Sequence, residues 1–338
     1  MNKNDVILSI KNLNTSFKTD DGVVRIVKDF NLDITRGKIL AIVGESGCGK
    51  SVTMNSVCRL LPKNAIVQAD HILYNQEVED EICVHPIHEY ENYSADMRRL
   101  RGKDISMIFQ DPMSSLNPVY KVGDQVAEAL LQHSDITKKE AQEKVIEMFR
   151  LLGIPDAEKR YHNYPCEFSG GMKQRVVIAI AMINNPALLI ADEPTTALDA
   201  TIQAQIMDLM LKLNHEYKTT IAMVTHNMGL VAEMADEVCV MYMGRIVEKG
   251  PIEAIFNNPS HPYTRALLRA VPVLGSSKDG LRLETIPGQT PNPKDIIEGC
   301  EFCGRCKTSS EGCDKGLVPF IEIEPSHFVR CRKFEDQA

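Results

Sequence analysis

An α/β fold organised round a phosphate-binding loop is what this sequence predicts, and three observations carry the expectation. Apolar runs at 39–43, 188–191 and 221–225 have the length of buried strands. The first leads into "GESGCGKS", residues 44–51, after which apolar residues return at helical spacing. The second ends directly on the acidic pair Asp192-Glu193.

The loop is the most informative element. Gly44, Gly47 and Gly49 let the backbone fold closely and turn successive N–H groups toward anionic oxygens. Lys50 places a cation on β- and γ-phosphates, and the Ser51 hydroxyl can bind Mg²⁺. Met54, Val57, Cys58 and Leu61 share one helical face, so a helix aims its positive end at the phosphates until Pro62 stops it. The contacts expected for ATP are Gly44, Glu45, Ser46, Gly47, Cys48, Gly49, Lys50, Ser51 and Val52. Cys48, beside Lys50 and a helix N-terminus, sits where thiolate is favoured; a small buried residue filling the loop is the plainer reading.

A nucleotide site needs an acidic partner at a neighbouring strand end. Asp192 can hold Mg²⁺, and Glu193 can polarise an attacking water. The third run ends at His226, at the edge where ligands of α/β sheets collect.

Composition narrows the class. The 338 residues can bury one large core or two modest ones. A formal net charge of −8 argues against a nucleic-acid footprint. The longest apolar run, 176–183, falls far short of the roughly 20 residues that span a bilayer. "MNKNDVILSI" has no secretory h-region. Cys48, Cys58, Cys83, Cys166 and Cys239 are scattered singly among core-like residues, which suits a reducing cytoplasm.

"FSGGMKQRVVIAIAMINNPALLIADEPTTALD" resembles the ATPase subunit of ABC transporters. Ser169, Gly170 and Gly171 resemble the family signature, with Phe168 for the usual leucine and Met172 for the usual glutamine. The resemblance implies that this segment closes over ATP held by a partner ATPase. It implies Phe17 as the adenine-stacking aromatic, with Ile26 beside it. Gln110 becomes the residue that senses Mg²⁺ and water, Asp199 part of the loop joining two ATPases, and His226 the γ-phosphate contact. Glu193, His226, Gln110 and Lys50 are then the expected catalytic group, and Ser51, Gln110 and Asp192 the Mg²⁺ site. "FQDPMSSLNP", "HPYTRALL", "IPGQTPNP" and "GCEFCGRC" resemble the oligopeptide/dipeptide/nickel importer branch. That branch implies a second ATPase as heterodimer partner, two transmembrane permeases and an extracytoplasmic peptide-binding protein. The implied place is the cytoplasmic face of the membrane. Peptides are the first expectation for cargo, with nickel the alternative. A soluble ABC switch outside transport would carry paired cassettes or a long coiled coil, and a redox protein with a vestigial ATPase would have lost Lys50, Asp192, Glu193 or His226.

The expected fold is a P-loop NTPase core with an antiparallel β subdomain, a helical signature subdomain at about 111–182 and a small cysteine-rich metal-cluster tail. The ATPase domain is expected over 1–258 and the tail domain over 259–338. Thr137 and Glu140 form a capping box before Ala141, Val145, Met148, Phe149 and Leu152 on one face, and Gly153 can stop that helix. Another helix after Asp199 has Ile202, Ile206, Leu209, Met210 and Leu213 on one face. The acidic stretch 77–96 reads as a solvated insertion beside edge strands, and proline-rich 287–293 as a linker.

Within the tail, Cys300, Cys303 and Cys306 have the spacing of ferredoxin-type ligand runs, with Cys313 and Cys331 further along. An iron–sulfur cluster, a structural zinc and no metal all stay open on spacing alone. The branch resemblance implies a [4Fe–4S] cluster on Cys300, Cys306, Cys313 and Cys331, leaving Cys303 spare. Nucleotide binding is expected to be indifferent to this tail, since every phosphate contact lies in the cassette.

Overall fold

A computed structural model describes residues 5–79, 81–196, 198–270, 285–295 and 297–337. Ala197, in the loop before Asp199, and residues 271–284 of the expected tail domain lie outside the described residues.

The chain opens with a long antiparallel hairpin, β1 (Val6–Thr19) and β2 (Gly22–Thr35). Left-handed backbone at Asn12 and Asp29, residue types that tolerate it, accompanies breaks in the pairing register. The chain then lays down β3 (Ile39–Val43) and α1 (Lys50–Val57). It returns with β4 (Ala65–Gln68), β5 (His71–Val78) and β6 (Glu81–Pro86) to complete a five-stranded antiparallel sheet. The acidic stretch 77–96 thus runs from the end of β5 through the edge strand β6 into the next helix, with Glu81, Cys83 and Val84 turned to solvent. After α2 (Ala95–Leu100), β7 (Ile105–Ile108) enters the second sheet.

Five helices follow: α3 (Pro112–Ser115), α4 (Val122–Leu131), α5 (Lys138–Leu151), α6 (Ala157–Tyr161) and α7 (Gly170–Met182). The Thr137–Glu140 capping box forms at the start of α5, satisfying two end N–H groups reciprocally. The chain continues through β8 (Leu188–Asp192), α8 (Ala200–Tyr217), β9 (Thr220–Thr225), α9 (Met228–Met234), β10 (Glu237–Tyr242) and β11 (Arg245–Pro251). Then come α10 (Ile252–Asn257), α11 (Pro262–Arg269), β12 (Ile321–Glu324) and β13 (His327–Val329).

The second sheet has eight strands in the order β12-β13-β11-β10-β3-β9-β8-β7. Its five strands from β10 to β7 run parallel, and every residue of β3, β8 and β9 is buried, as a sheet covered on both faces requires. Alternation divides each strand between two cores. Ile39, Ala41 and Val43 face a core built with the helices, whereas Leu40 and Ile42 join Ile7, Leu8 and Phe30 between the sheets. The tail continues this sheet, with β13 pairing antiparallel to β11 through Glu248–Val329 and Lys249–Phe328.

One helix is shorter than its periodicity suggests. α1 stops at Val57, because Arg59 takes a left-handed conformation (φ 55°), and Leu61 never joins its face.

Candidate nucleotide site

The glycine-rich loop lies between the end of β3 and α1, at the end of the parallel strands. Gly44 can be nothing larger, since a Cβ there would sit 2.2 Å from the Met241 carbonyl oxygen. Lys50 is buried, and its Nζ donates to the carbonyls of Gly44 at 2.8 Å and Glu45 at 3.1 Å. The ammonium is thereby held over the loop. Ser51 Oγ donates to Asp192 Oδ1 at 2.9 Å, joining two hard oxygen donors from elements 141 residues apart. Burial holds the Asp192 carboxyl above its usual range, against the Ser51 hydrogen bond. This oxygen pair suits Mg²⁺, which takes one or two protein oxygens and fills its remaining positions with water and substrate phosphate.

Glu193 is the hub of the site. Its Oε1 lies 3.0 Å from His226 Nδ1, and its Oε2 accepts from Gln110 Nε2 at 3.0 Å and Thr196 Oγ1 at 2.9 Å. Partial burial works against ionisation, but the hydrogen bonds from His226 and Thr196 outweigh it and hold the carboxyl below the ordinary glutamate range. Its backbone is left-handed (φ 47°) and is tied to β9 by Glu193 N–H donating to the Val224 carbonyl at 2.8 Å. A non-glycine residue kept in that region needs such over-determination.

A cleft of about 500 Å³ is walled by Phe17, Ile26, Ser46, Gly47, Gly49, Lys50, Ser51, Val52, Gln110 and Glu193, with Thr19 and Val24 completing the rim. One cleft thus gathers the expected adenine aromatic, phosphate loop and acidic residue, and His226 and Asp192 reach it through Glu193 and Ser51. Ser169, Gly170, Gly171 and Asp199 are not in its wall. Ser169 instead caps α7 by accepting from Met172 N–H at 3.3 Å, and Asp199 caps α8 by accepting from Ile202 N–H at 3.0 Å. Gly171 packs against Ile202, so the two helix starts sit together. Cys48 is 1% exposed, and burial pushes its thiol pKa up against the opposing pull of Lys50, which favours the plainer reading of a small residue filling the loop.

Comparison with known proteins now has a geometry to meet. Residues 27–196 match the ABC transporter family, and residues 247–313 match the oligopeptide/dipeptide transporter C-terminal region. The chain is an ABC-family ATPase. A Brucella ovis protein named for ATP binding in peptide import is 46% identical over 98% of both chains. The dipeptide transport ATP-binding protein DppD of Bacillus subtilis is 45% identical over 96% of this chain and 94% of its own. A bacterial ABC transporter cassette solved as a dimer superposes with a TM-score of 0.60 at 25% identity, covering 72% of this chain and 98% of that one.

The ABC ATPase core is therefore as the sequence implies; the tail departs from expectation in two ways. Cys300, Cys303, Cys306, Cys313 and Cys331 are free thiols lining one cavity of about 20 Å³. Among the described residues, however, no group of three or more His, Cys, Asp or Glu is placed to hold a metal ion. The expected metal-cluster tail, whether iron–sulfur or zinc, gains no support from this arrangement. Thiolate chemistry still suits an iron–sulfur cluster, which spreads its ligands over separate iron atoms.

The second departure is that the tail does not leave the phosphate loop alone. Arg305, between Cys303 and Cys306, makes a two-pronged pair with Glu45, Nη1 to Oε2 at 2.7 Å and Nη2 to Oε1 at 3.0 Å. Thr290 Oγ1 donates to the same Glu45 Oε2 at 2.8 Å, and the Glu45 N–H donates to Tyr263 OH at 2.8 Å. "IPGQTPNP" and "GCEFCGRC" mark the branch, but neither string assigns chemistry to Thr290 or Arg305. Nothing local in the sequence links them to a residue some 250 positions earlier.

Proposed function

We propose that this ABC ATPase powers import of di- and oligopeptides through a transporter in the cytoplasmic membrane, working from its inner face. The observation that carries the reading is the likeness to peptide-transport ATP-binding proteins over nearly the whole chain, tail region included. No described helix is long and apolar enough to cross a membrane, so translocation is assigned to two permease partners. Exposed Phe109, Val119 and Tyr120, close in sequence to Gln110, offer apolar surface for docking a permease. An extracytoplasmic binding protein supplies the cargo.

In the proposed reaction, water attacks the γ-phosphorus, the bond to the ADP oxygen breaks, and the water's proton passes toward the Glu193 carboxylate. His226 and Gln110 hold that carboxylate in position, and Lys50 with the loop N–H groups neutralises phosphate charge. Mg²⁺, held by Ser51, Asp192 and Gln110, supplies further charge neutralisation when bound. Ser169, Gly170 and Gly171, presented at the capped start of α7, are assigned to the ATP of a second, non-identical ATPase, and Asp199 to the loop that joins the two ATPases. A [4Fe–4S] cluster on Cys300, Cys306, Cys313 and Cys331 belongs to the same proposal and rests on the cysteine spacing and the resemblance to the importer branch.

The test is ATP-driven uptake into vesicles carrying the complete transporter. Labelled dipeptides and oligopeptides should accumulate with the parent chain and not with Glu193→Gln. Accumulation of nickel without peptide would overturn the cargo.

A further inference from the structure

The geometry points to a positioning role for Arg305: from the cysteine-rich segment it cancels the charge of Glu45, which stands inside the phosphate loop. The inference rests on the ATP-binding reading of that loop and goes beyond it by giving the tail a part in nucleotide affinity.

A carboxylate is an awkward residue to find here. Glu45 lies between Gly44 and the exposed Ser46-Gly47 turn, in a loop that must accept a polyphosphate carrying several negative charges. Left bare, it would repel that ligand. The structure surrounds it instead with donors. Both Glu45 oxygens are taken by the Arg305 fork, and one also receives Thr290. Paired forks of this kind are among the strongest charge-assisted contacts available to a side chain.

Arg305 is itself over-determined. Its side chain is 7% exposed, its Nε donates to the Pro287 carbonyl at 2.9 Å, and its Nη1 reaches Tyr242 OH at 3.2 Å. The guanidinium stands 5.8 Å from the ring centres of both Tyr242 and Phe302. Tyr242 ends β10, Phe302 belongs to the cysteine loop, and Tyr263 of α11 packs against both rings. A surface ion pair would have one or two such contacts; this one is built into a junction of core and tail.

Charge cancellation and simple anchoring predict different results. Equilibrium titration of the full chain with fluorescent ATP and AMP analogues separates them. Arg305→Ala should bind the ATP analogue about tenfold more weakly, while the AMP analogue, with fewer charges, changes by less than about threefold. Arg305→Lys should recover most of the loss, since it restores the charge without the fork. The double variant Glu45→Gln/Arg305→Ala should also return to within about threefold of the parent, because the bare carboxylate has gone. Glu45→Gln alone removes the carboxylate and keeps the Arg305 cation, so it should bind the ATP analogue more tightly than the parent, and weaker binding would overturn the inference even where Arg305→Ala folds poorly. Lys307→Ala removes a nearby cation that does not touch the loop and should change nothing. Equal losses for ATP and AMP, or a double variant no better than Arg305→Ala, would overturn the inference. The parent titration reports the loop's ATP binding by itself, so a fault there is distinct from a fault in the fork.

Discussion

His327 Nε2 lies 2.8 Å from Glu248 Oε1, and both side chains are fully buried. The pair bridges β13 of the tail and β11 of the ATPase sheet, and Glu248 also accepts the N–H groups of Ser260 and His261 at 2.6 and 2.9 Å. One carboxyl therefore organises three segments: β11, the turn into α11, and the tail. Glu248→Ala would strand three buried donors, each at about 1–3 kcal/mol. The expected loss is at least about 3 kcal/mol, read as a lowered chemical-denaturation midpoint. The isosteric Glu248→Gln should lose less.

Glu193→Gln should lower ATP turnover by about 10²- to 10⁴-fold while nucleotide affinity stays near the parent's, because the phosphate loop is untouched. Turnover by the assembled transporter and equilibrium binding by the chain give the two readings. Since the Glu193 carboxyl is held below 4.5, turnover should not fall through its protonation until the pH drops under that value. Parental turnover by the glutamine variant would remove Glu193 from the chemistry.

His261 gives stability a pH dependence. Its ring is 1% exposed and its Nδ1 accepts the Tyr263 N–H at 3.0 Å. Burial pushes its pKa from 6.5 down to about 4, despite nearby Glu248. The unfolded chain takes up the proton first as pH falls. This contribution is therefore complete above pH 6.5 and is lost progressively toward pH 4. His261→Asn, which can still cap α11, should flatten the unfolding midpoint across that window.

Anaerobically purified protein should be brown and carry about four irons and four acid-labile sulfides per chain if the proposed cluster is present. Cys331→Ser should lose most of that iron, and Cys303→Ser should keep it. Colourless protein with iron and sulfide supplied would end the cluster proposal. Because Arg305 sits one residue before Cys306, nucleotide affinity should be measured on both variants in parallel.

The parts of this molecule that sequence could reveal are those whose physics is local. The phosphate loop declares itself because glycines, Lys50 and Ser51 must stand in one short order, and Asp192-Glu193 because an acidic pair ends an apolar run. Thr137 and Glu140 announce α5 for the same reason: their reciprocal bonds span three residues. The Glu193 cradle was legible only in part, since Thr196 joins His226 and Gln110 round one carboxylate without any motif of its own. The Arg305–Glu45 fork was not legible at all. Its partners meet only after β10, α11 and the cysteine loop have packed their aromatic rings, and no periodicity records that meeting. The tail's strands escaped notice likewise, because β12 and β13 are four and three residues long and take their register from β11.

The antiparallel extension of the large sheet also bears on how the protein can be dissected. The match to the transporter C-terminal region stops at residue 313, before β12 and β13. A truncation placed there would look natural on sequence grounds, yet it would strip β11 of its neighbour and bare a row of unpaired backbone groups. Such an edge recruits strands from other molecules. The segment past Cys313 thus acts as a lid on a sticky border, and shortened versions should be judged first by their solubility.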